Sequence, residues 1–260
     1  QKYRFEDKAL DFAFGVFGEE IRDENPKVLE LGCGDGKHLK EMLNQGLDAY
    51  GIDTLDKKIK SANTPRAILV DGVTLPFKDG SFDVIYSFQV FEHIRDLEVV
   101  VKEMRRVLKS GGVVYSEFAS SYPLIDDHTN LPPLHLLKNR KIVYFAFLFF
   151  KKIGWFESEK TYRKTYLYLK NHLHYRSYKR MDEIFVQNGF EVIDITYKRR
   201  KDRLQKDGVG TLKELVGYKF YGKCGSSKNI GIAVEIYLRF YVFYYRLCKN
   251  RVVLLRRKDG

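Results

Sequence analysis

The chain has 260 residues, 44% of them hydrophobic, and a formal net charge of +12 at pH 7. That size and apolar content suit one large α/β domain with insertions, or a domain plus a small cap. Three scattered cysteines (Cys33, Cys224, Cys248) exclude a dense disulfide framework and a close cysteine metal cluster, and make a reducing compartment the simpler reading. Charge divides the chain. Residues 1–119 carry 17 basic and 21 acidic side chains, whereas residues 120–260 carry 29 and 13. The basic second half is also rich in aromatics. Its field suits an anionic substrate, a phospholipid surface or nucleic acid, and a solvated basic surface that aids solubility would read the same way. No signal peptide is visible, and a start at Gln1 is compatible with a trimmed leader.

An amphipathic lead-in helix is expected over residues 6–17, ending before Asn25-Pro26. A short apolar run, residues 27–31, then enters Gly32-Cys33-Gly34-Asp35-Gly36, and a helical pattern follows over residues 37–44. This reads as a buried strand, a tight turn and a helix start, where glycine lets both the backbone and a ligand come close. Further strands are expected at 48–52, 67–70, 81–87 and 113–118, with a helix at 96–108 whose apolar side holds Leu97, Val100, Val101, Met104 and Leu108. Gly111-Gly112 is read as the turn into the fifth strand. Asp53 and Asp71 fall at the ends of the second and third runs, and Phe88-Gln89-Val90 after the fourth, where open α/β sheets place ligands.

The ordered set Glu30–Gly36, Gly51-Ile52-Asp53, Asp71-Gly72-Val73, Leu75-Pro76-Phe77, Phe82-Asp83-Val84-Ile85, Phe91-Glu92-His93-Ile94 and Leu108-Lys109-Ser110-Gly111-Gly112 resembles the class I S-adenosylmethionine-dependent methyltransferases. Within them it is similar to the branch related to ubiquinone biosynthesis and other small-molecule enzymes. The resemblance is strong over residues 25–119 and general elsewhere. It implies a Rossmann-like, seven-stranded methyltransferase fold, with S-adenosylmethionine as cofactor. It implies that Gly32, Cys33 and Gly34 form the cofactor loop, that Asp53 binds the ribose diol, with Thr54 and Leu55 beside it, and that Asp71, Gly72 and Val73 flank the adenine. Glu30 would organise the methionine end, with Phe88, Gln89 and His93 lining the pocket and Tyr3 and Arg4 closing over its mouth. For Asp53 an Asx-turn or helix cap is the plainer alternative, and for Tyr3 simple packing.

The pattern loosens at Ser120. The next sheet helix is expected at 179–188 and the sixth strand at 190–196, which leaves residues 120–178 as an insertion on the ligand-bearing edge, a substrate-side or membrane-facing cap. It opens with Asp126-Asp127-His128 among three prolines. A fixed loop can hold a base near a substrate hydroxyl, so His128 is the leading candidate for general base, oriented by Asp126 or Asp127, with His93 as the second candidate. No compact cysteine or histidine motif supplies a zinc site. Residues 141–150 form an apolar run too short to span a bilayer as a helix, bordered by Lys151, Lys152 and Trp155. It suits an interface, a lid or a dimer contact. Residues 230–237 are taken as the final strand, and 238–260 as a basic amphipathic tail.

The reading that follows is methyl transfer, to oxygen of a sugar-like, glycan or lipid-linked small polar acceptor, by a cytoplasmic protein that can sit peripherally on the inner face of an anionic membrane and can form a homo-oligomer. A nucleic-acid methyltransferase and a non-catalytic S-adenosylmethionine-binding protein are the alternatives. Nucleic acid is disfavoured because Ser87-Phe88-Gln89-Val90 is not an N/D-P-P-Y/F motif. Asp71 and the segment after the fourth strand argue against a nicotinamide dehydrogenase.

Overall fold

A computed structural model describes residues 3–21, 23–119, 140–152, 167, 172–199, 201–202 and 250–258. Helix α1 (Lys8–Glu20) precedes an alternating series: β1 (Val28–Leu31), α2 (Lys37–Asn44), β2 (Ala49–Asp53), α3 (Asp56–Ala62), β3 (Ala67–Leu69), β4 (Phe82–Phe88), α4 (Leu97–Val107) and β5 (Leu108–Phe118). Then come α5 (Arg140–Lys152), α6 (Tyr178–Gln187), β6 (Phe190–Asp194) and β7 (Arg251–Arg257). The seven strands order as β3-β2-β1-β4-β5-β7-β6, parallel from β3 to β5, with β7 antiparallel to both of its neighbours. This is the Rossmann-like α/β sheet that the resemblance implies. Its chain order reverses between β1 and β4, and a crevice opens there beyond the carboxyl ends of the strands.

Strand alternation gives the sheet two apolar faces. Val28, Val84, Tyr86, Tyr115, Val252 and Leu254 pack with α1 and α2 residues such as Leu10, Phe17, Leu39 and Met42. Leu29, Ile85, Val114, Val253 and Leu255 pack with Val101 and Met104 of α4 and Met181, Ile184 and Phe185 of α6. The helix starts have local causes. The Asp7 side chain accepts from the Ala9 and Leu10 amides to cap α1, and Ser177 accepts from Arg180 to cap α6. Helix α2 instead starts from Gly36, whose φ of 76° only glycine adopts cheaply and where a Cβ would stand 2.8 Å from that of Ala62.

Two expectations are corrected. Gly111-Gly112 does not precede the fifth strand but lies within it. Phe82 pairs with Leu108 while Val84 pairs with Val113, so β5 carries extra residues as a bulge. A Cβ on Gly112 would meet Leu108 Cγ at 2.8 Å and the Lys109 carbonyl oxygen at 2.9 Å, and this crowding is what requires glycine. The closing strand is also relocated. Residues 230–237 lie outside the described residues, and β7 occupies Arg251–Arg257, inside the stretch read as an amphipathic tail. Its apolar residues are buried on both faces, so they show a continuous run rather than an alternation. Its arginines are paired within the fold: buried Arg251 reaches Asp182 at 2.6 Å and Asp194 at 3.1 Å, and Arg256, which stays exposed, reaches Glu20 at 2.8 Å.

Candidate active site

The glycine turn, the ends of β2 and β3, and the segment after β4 enclose a cleft of about 510 Å³, within the usual range for small-ligand sites. Among the residues expected to hold a cofactor, Gly32, Asp53, Thr54, Leu55, Asp71, Gly72, Val73, Gln89 and His93 line it together. Gly32 has a φ of 73°, and a Cβ there would come within 2.4 Å of Val90 Cγ2, so the turn packs against Val90 only because the side chain is a hydrogen.

Asp53 is fixed at both oxygens. Oδ2 accepts from the Gly34 amide at 3.0 Å and Oδ1 from the Leu55 amide at 2.9 Å. A carboxylate has about four acceptor positions, so a lone pair remains on each oxygen for a vicinal diol. The Asx-turn and the diol role are therefore compatible. Asp71 Oδ1 accepts from Val73 and Thr74, each at 2.8 Å, and the Thr74 and Val73 amides hold its carboxyl below the usual range. Leu55 and Val73 are 57% and 44% exposed at the rim, apolar surface that suits the two faces of a flat ring. Gln89 adopts a φ of 56°, and its Nε2 is buried without a hydrogen-bond partner. Strain and an orphaned donor in a cleft wall both mark a position kept for a ligand.

His93 lies in the cleft wall with Nδ1 at 3.0 Å from the His172 carbonyl oxygen. A carbonyl can only accept, so Nδ1 carries the proton in the neutral ring and Nε2 holds the lone pair. The neighbouring contacts show where the insertion returns. The His174 amide donates to the Glu92 carbonyl at 2.6 Å, and the Arg176 guanidinium donates to the Ile94 and Arg95 carbonyls. Arg176 carries no motif that would have flagged it in the sequence.

Glu30 is buried on the α1 side of the sheet, with Oε1 3.3 Å from His38 Nδ1. His38 Nε2 is in turn 3.4 Å from Asp7 Oδ2. Burial raises the Glu30 carboxyl, against the pull of His38. The sequence reading missed His38 and Asp7. Their signal was a histidine in the first turn after the glycines, together with an acid just ahead of the lead-in helix.

Other placements differ from expectation. The Cys33 side chain points away from the cleft, its Sγ 2.8 Å from where a Gly51 Cβ would be, and burial pushes its thiol up to about 12. Its amide is spent on the Ile52 carbonyl. Phe88 sets its ring edge to face against His38 rather than into the cleft. Tyr3 turns to the opposite end of the sheet, donating toward the Glu24 carbonyl and Asn25 just before β1, because its ring packs on Phe14. Arg4 is exposed and does not line the cleft. Asp126, Asp127 and His128 lie outside the described residues. Among the described residues, no three histidine, cysteine or acidic side chains are grouped to hold a metal ion.

Comparison with known proteins bears directly on this cleft. Residues 29–116 match the methyltransferase domain family model, a span that contains the glycine turn, Asp53, Asp71, Gln89 and His93. That segment, residues 29–116, is a methyltransferase domain of the S-adenosylmethionine-dependent kind. It is 32% identical to a ubiquinone biosynthesis O-methyltransferase of Pelagibacter ubique over 35% of this chain and 41% of that one. It is 28% identical to a sterol 4-C-methyltransferase of Caenorhabditis elegans over 44% of this chain and 38% of that one. A phosphoethanolamine N-methyltransferase of Haemonchus contortus, solved with phosphomonomethylethanolamine and S-adenosylhomocysteine, shares the fold with a TM-score of 0.51 and 18% identity, over 94% of this chain and 52% of that one. The chain spans about a third of the length of the curated relatives it matches.

S-adenosylmethionine is the cofactor of this methyltransferase family, and the residues present fit it. Asp53 offers paired acceptors for the ribose, and Leu55 and Val73 offer apolar surface for the adenine, with Gly32 lining the same cleft.

Proposed function

We propose that the protein transfers a methyl group from S-adenosylmethionine to oxygen of a sugar-like, glycan or lipid-linked small polar acceptor. The observation that carries the reading is the grouping of Gly32, Asp53, Asp71, Gln89 and His93 around one cleft at the carboxyl end of a methyltransferase sheet. When bound, S-adenosylmethionine supplies a methyl group on a sulfonium centre. The chain's own residues hold the adenosine, align the acceptor behind the methyl group and keep water out. Transfer to oxygen also needs the hydroxyl proton removed. His128, oriented by Asp127, is the proposed base. His93 is the second, because its Nδ1 contact at 3.0 Å leaves the lone pair on Nε2.

The acceptor class rests on two features. The curated relatives include enzymes named for a ubiquinone pathway and for a sterol, both lipid-like acceptors. Helix α5 also presents Phe145 at 65% and Phe149 at 59% exposure within the strongly basic half of the chain, a surface that suits a lipid carrier or a membrane interface. No helix among the described residues is long and apolar enough to cross a membrane, so the proposed contact is peripheral.

The test is a methyl-transfer screen of cell-envelope and small-molecule fractions, with mass spectrometry locating each added methyl group. Once a product is known, His128→Ala should lower turnover at saturating cofactor by about 10²–10⁴-fold, the usual share of a general base. Full activity in folded His128→Ala removes it as the base, and a product methylated on nitrogen or on nucleic acid replaces the acceptor reading.

A further inference from the structure

We propose that His38 is a positioning residue that ties the N-terminal helix to the methionine end of the cofactor site by holding Glu30. The inference rests on the methyltransferase reading above. Both ring nitrogens of His38 face a carboxylate oxygen: Nδ1 is 3.3 Å from Glu30 Oε1, and Nε2 is 3.4 Å from Asp7 Oδ2. A ring can donate to both only as the imidazolium. Burial opposes that charge, but the hydrogen bonds to Asp7 and Glu30 outweigh it and lift the ring to about 9. The remaining surroundings are accounted for. Tyr86 and Phe88 of β4 set their rings edge to face against the imidazole, Lys37 reaches Asp7 at 2.9 Å, and Glu41 of α2 accepts the Asp7 amide at 3.1 Å. The Leu39 backbone also hydrogen-bonds the Glu30 carboxyl, and Asp35 in the turn contributes only a weaker field there.

The charges around the ring do not balance. With both carboxyl groups ionised, one imidazolium leaves a negative charge, which burial disfavours at Glu30, and Lys37, two-thirds exposed, meets only the Asp7 end. At the other end Glu30 is 3% exposed, and its Oε2 is buried without a hydrogen-bond partner. A buried carboxylate oxygen of this kind calls for a cationic donor. The α-ammonium group of S-adenosylmethionine is one. Glu30 lies two residues before Gly32, which lines the cleft. In this arrangement His38 fixes one oxygen of Glu30 and so aims the other. Asp7, as the N-cap of α1, makes the seating of the lead-in helix part of the same device.

The experiment compares two ligands by titration calorimetry on the full chain. S-adenosylhomocysteine carries the amino-acid end, and methylthioadenosine keeps the adenosine and thioether but lacks it. His38→Gln should weaken S-adenosylhomocysteine about tenfold, the scale of one charge-assisted hydrogen bond, and leave methylthioadenosine unchanged. Asp7→Asn keeps a capping oxygen on α1 and should show the same selectivity to a smaller degree. Should His38→Gln not fold, Asp7→Asn decides alone. Equal weakening of both ligands, or unchanged S-adenosylhomocysteine affinity in a folded variant, overturns the proposal. If the wild type binds neither ligand, the cofactor reading fails and the proposal falls with it. If the wild type binds both and the variants show no selectivity, only the role of His38 is lost.

Discussion

Asp53 and His38 are single side chains that hold local structure and, in the proposed reading, serve the site as well. Asp53 spends one acceptor position per oxygen on the Gly34 and Leu55 amides, which leaves a lone pair on each for the proposed ribose contact. Asp53→Ala should therefore weaken S-adenosylmethionine binding by about 1–3 kcal/mol, read by calorimetry, with some thermal destabilisation because the glycine turn loses its anchor. For His38 the prediction concerns pH. Its folded value of about 9 lies above the ordinary 6.5, so its contribution to stability is complete below pH 6.5 and is lost as pH rises through 9. Asp7 works in the opposite sense. The His38 and Lys37 hydrogen bonds hold it well below its ordinary 3.8, so its contribution is complete above that value and is lost on acidification. Glu30, raised by burial, adds a decline with rising pH, in the same direction as His38. Thermal midpoints should therefore fall on the alkaline side, by about 2–4 °C for each kcal/mol lost, and His38→Gln should flatten that fall. An alkaline limb of unchanged depth in the variant would remove the imidazolium from the account.

Among the elements, β7 is the most consequential. Val252, Val253, Leu254 and Leu255 are at most 1% exposed, and among the described residues the strand links β5 to β6 in the sheet order. Leu254→Ala should cost about 2–5 kcal/mol, a core truncation in a packed strand, measured as a lower urea midpoint with an unchanged slope. The sequence made the first four strands and α2, α4 and α6 legible to within a few residues, because their glycine turns, capping residues and apolar periods are local signals, although the fifth strand starts five residues earlier than its glycines suggested. It made Asp53 and Asp71 legible for the same reason, since each ends an apolar run. The position of β7 was not legible. Four apolar residues set among arginines read equally well as an interfacial segment, and the partners that decide the matter, Asp182, Asp194 and Glu20, are distant in sequence. The inward turn of Cys33 was hidden because it depends on the packing of Gly51, and the role of His38 because it depends on Asp7, thirty-one positions earlier.

At the scale of the whole molecule, an acidic cofactor half is joined to a basic half that carries the exposed aromatic face of α5. The protein should co-sediment with anionic vesicles at low salt and release as ionic strength approaches about 0.15 M or more, where the Debye length shrinks to about 8 Å. Equal recovery on neutral vesicles would assign the basic surface to some other task. The sheet order also governs how the protein is made. Thr196 and Val252 hydrogen-bond across 56 positions of chain, and a ribosome adding about 5–20 residues per second needs several seconds to cover that distance. Throughout that interval β5 has been synthesised while its antiparallel neighbour has not, and an unpaired strand edge is a template for pairing with the wrong chain. The half-made protein therefore needs either shelter for that edge or a slow commitment to folding, and its yield in a cell will follow how quickly translation delivers the residues from 119 to 257.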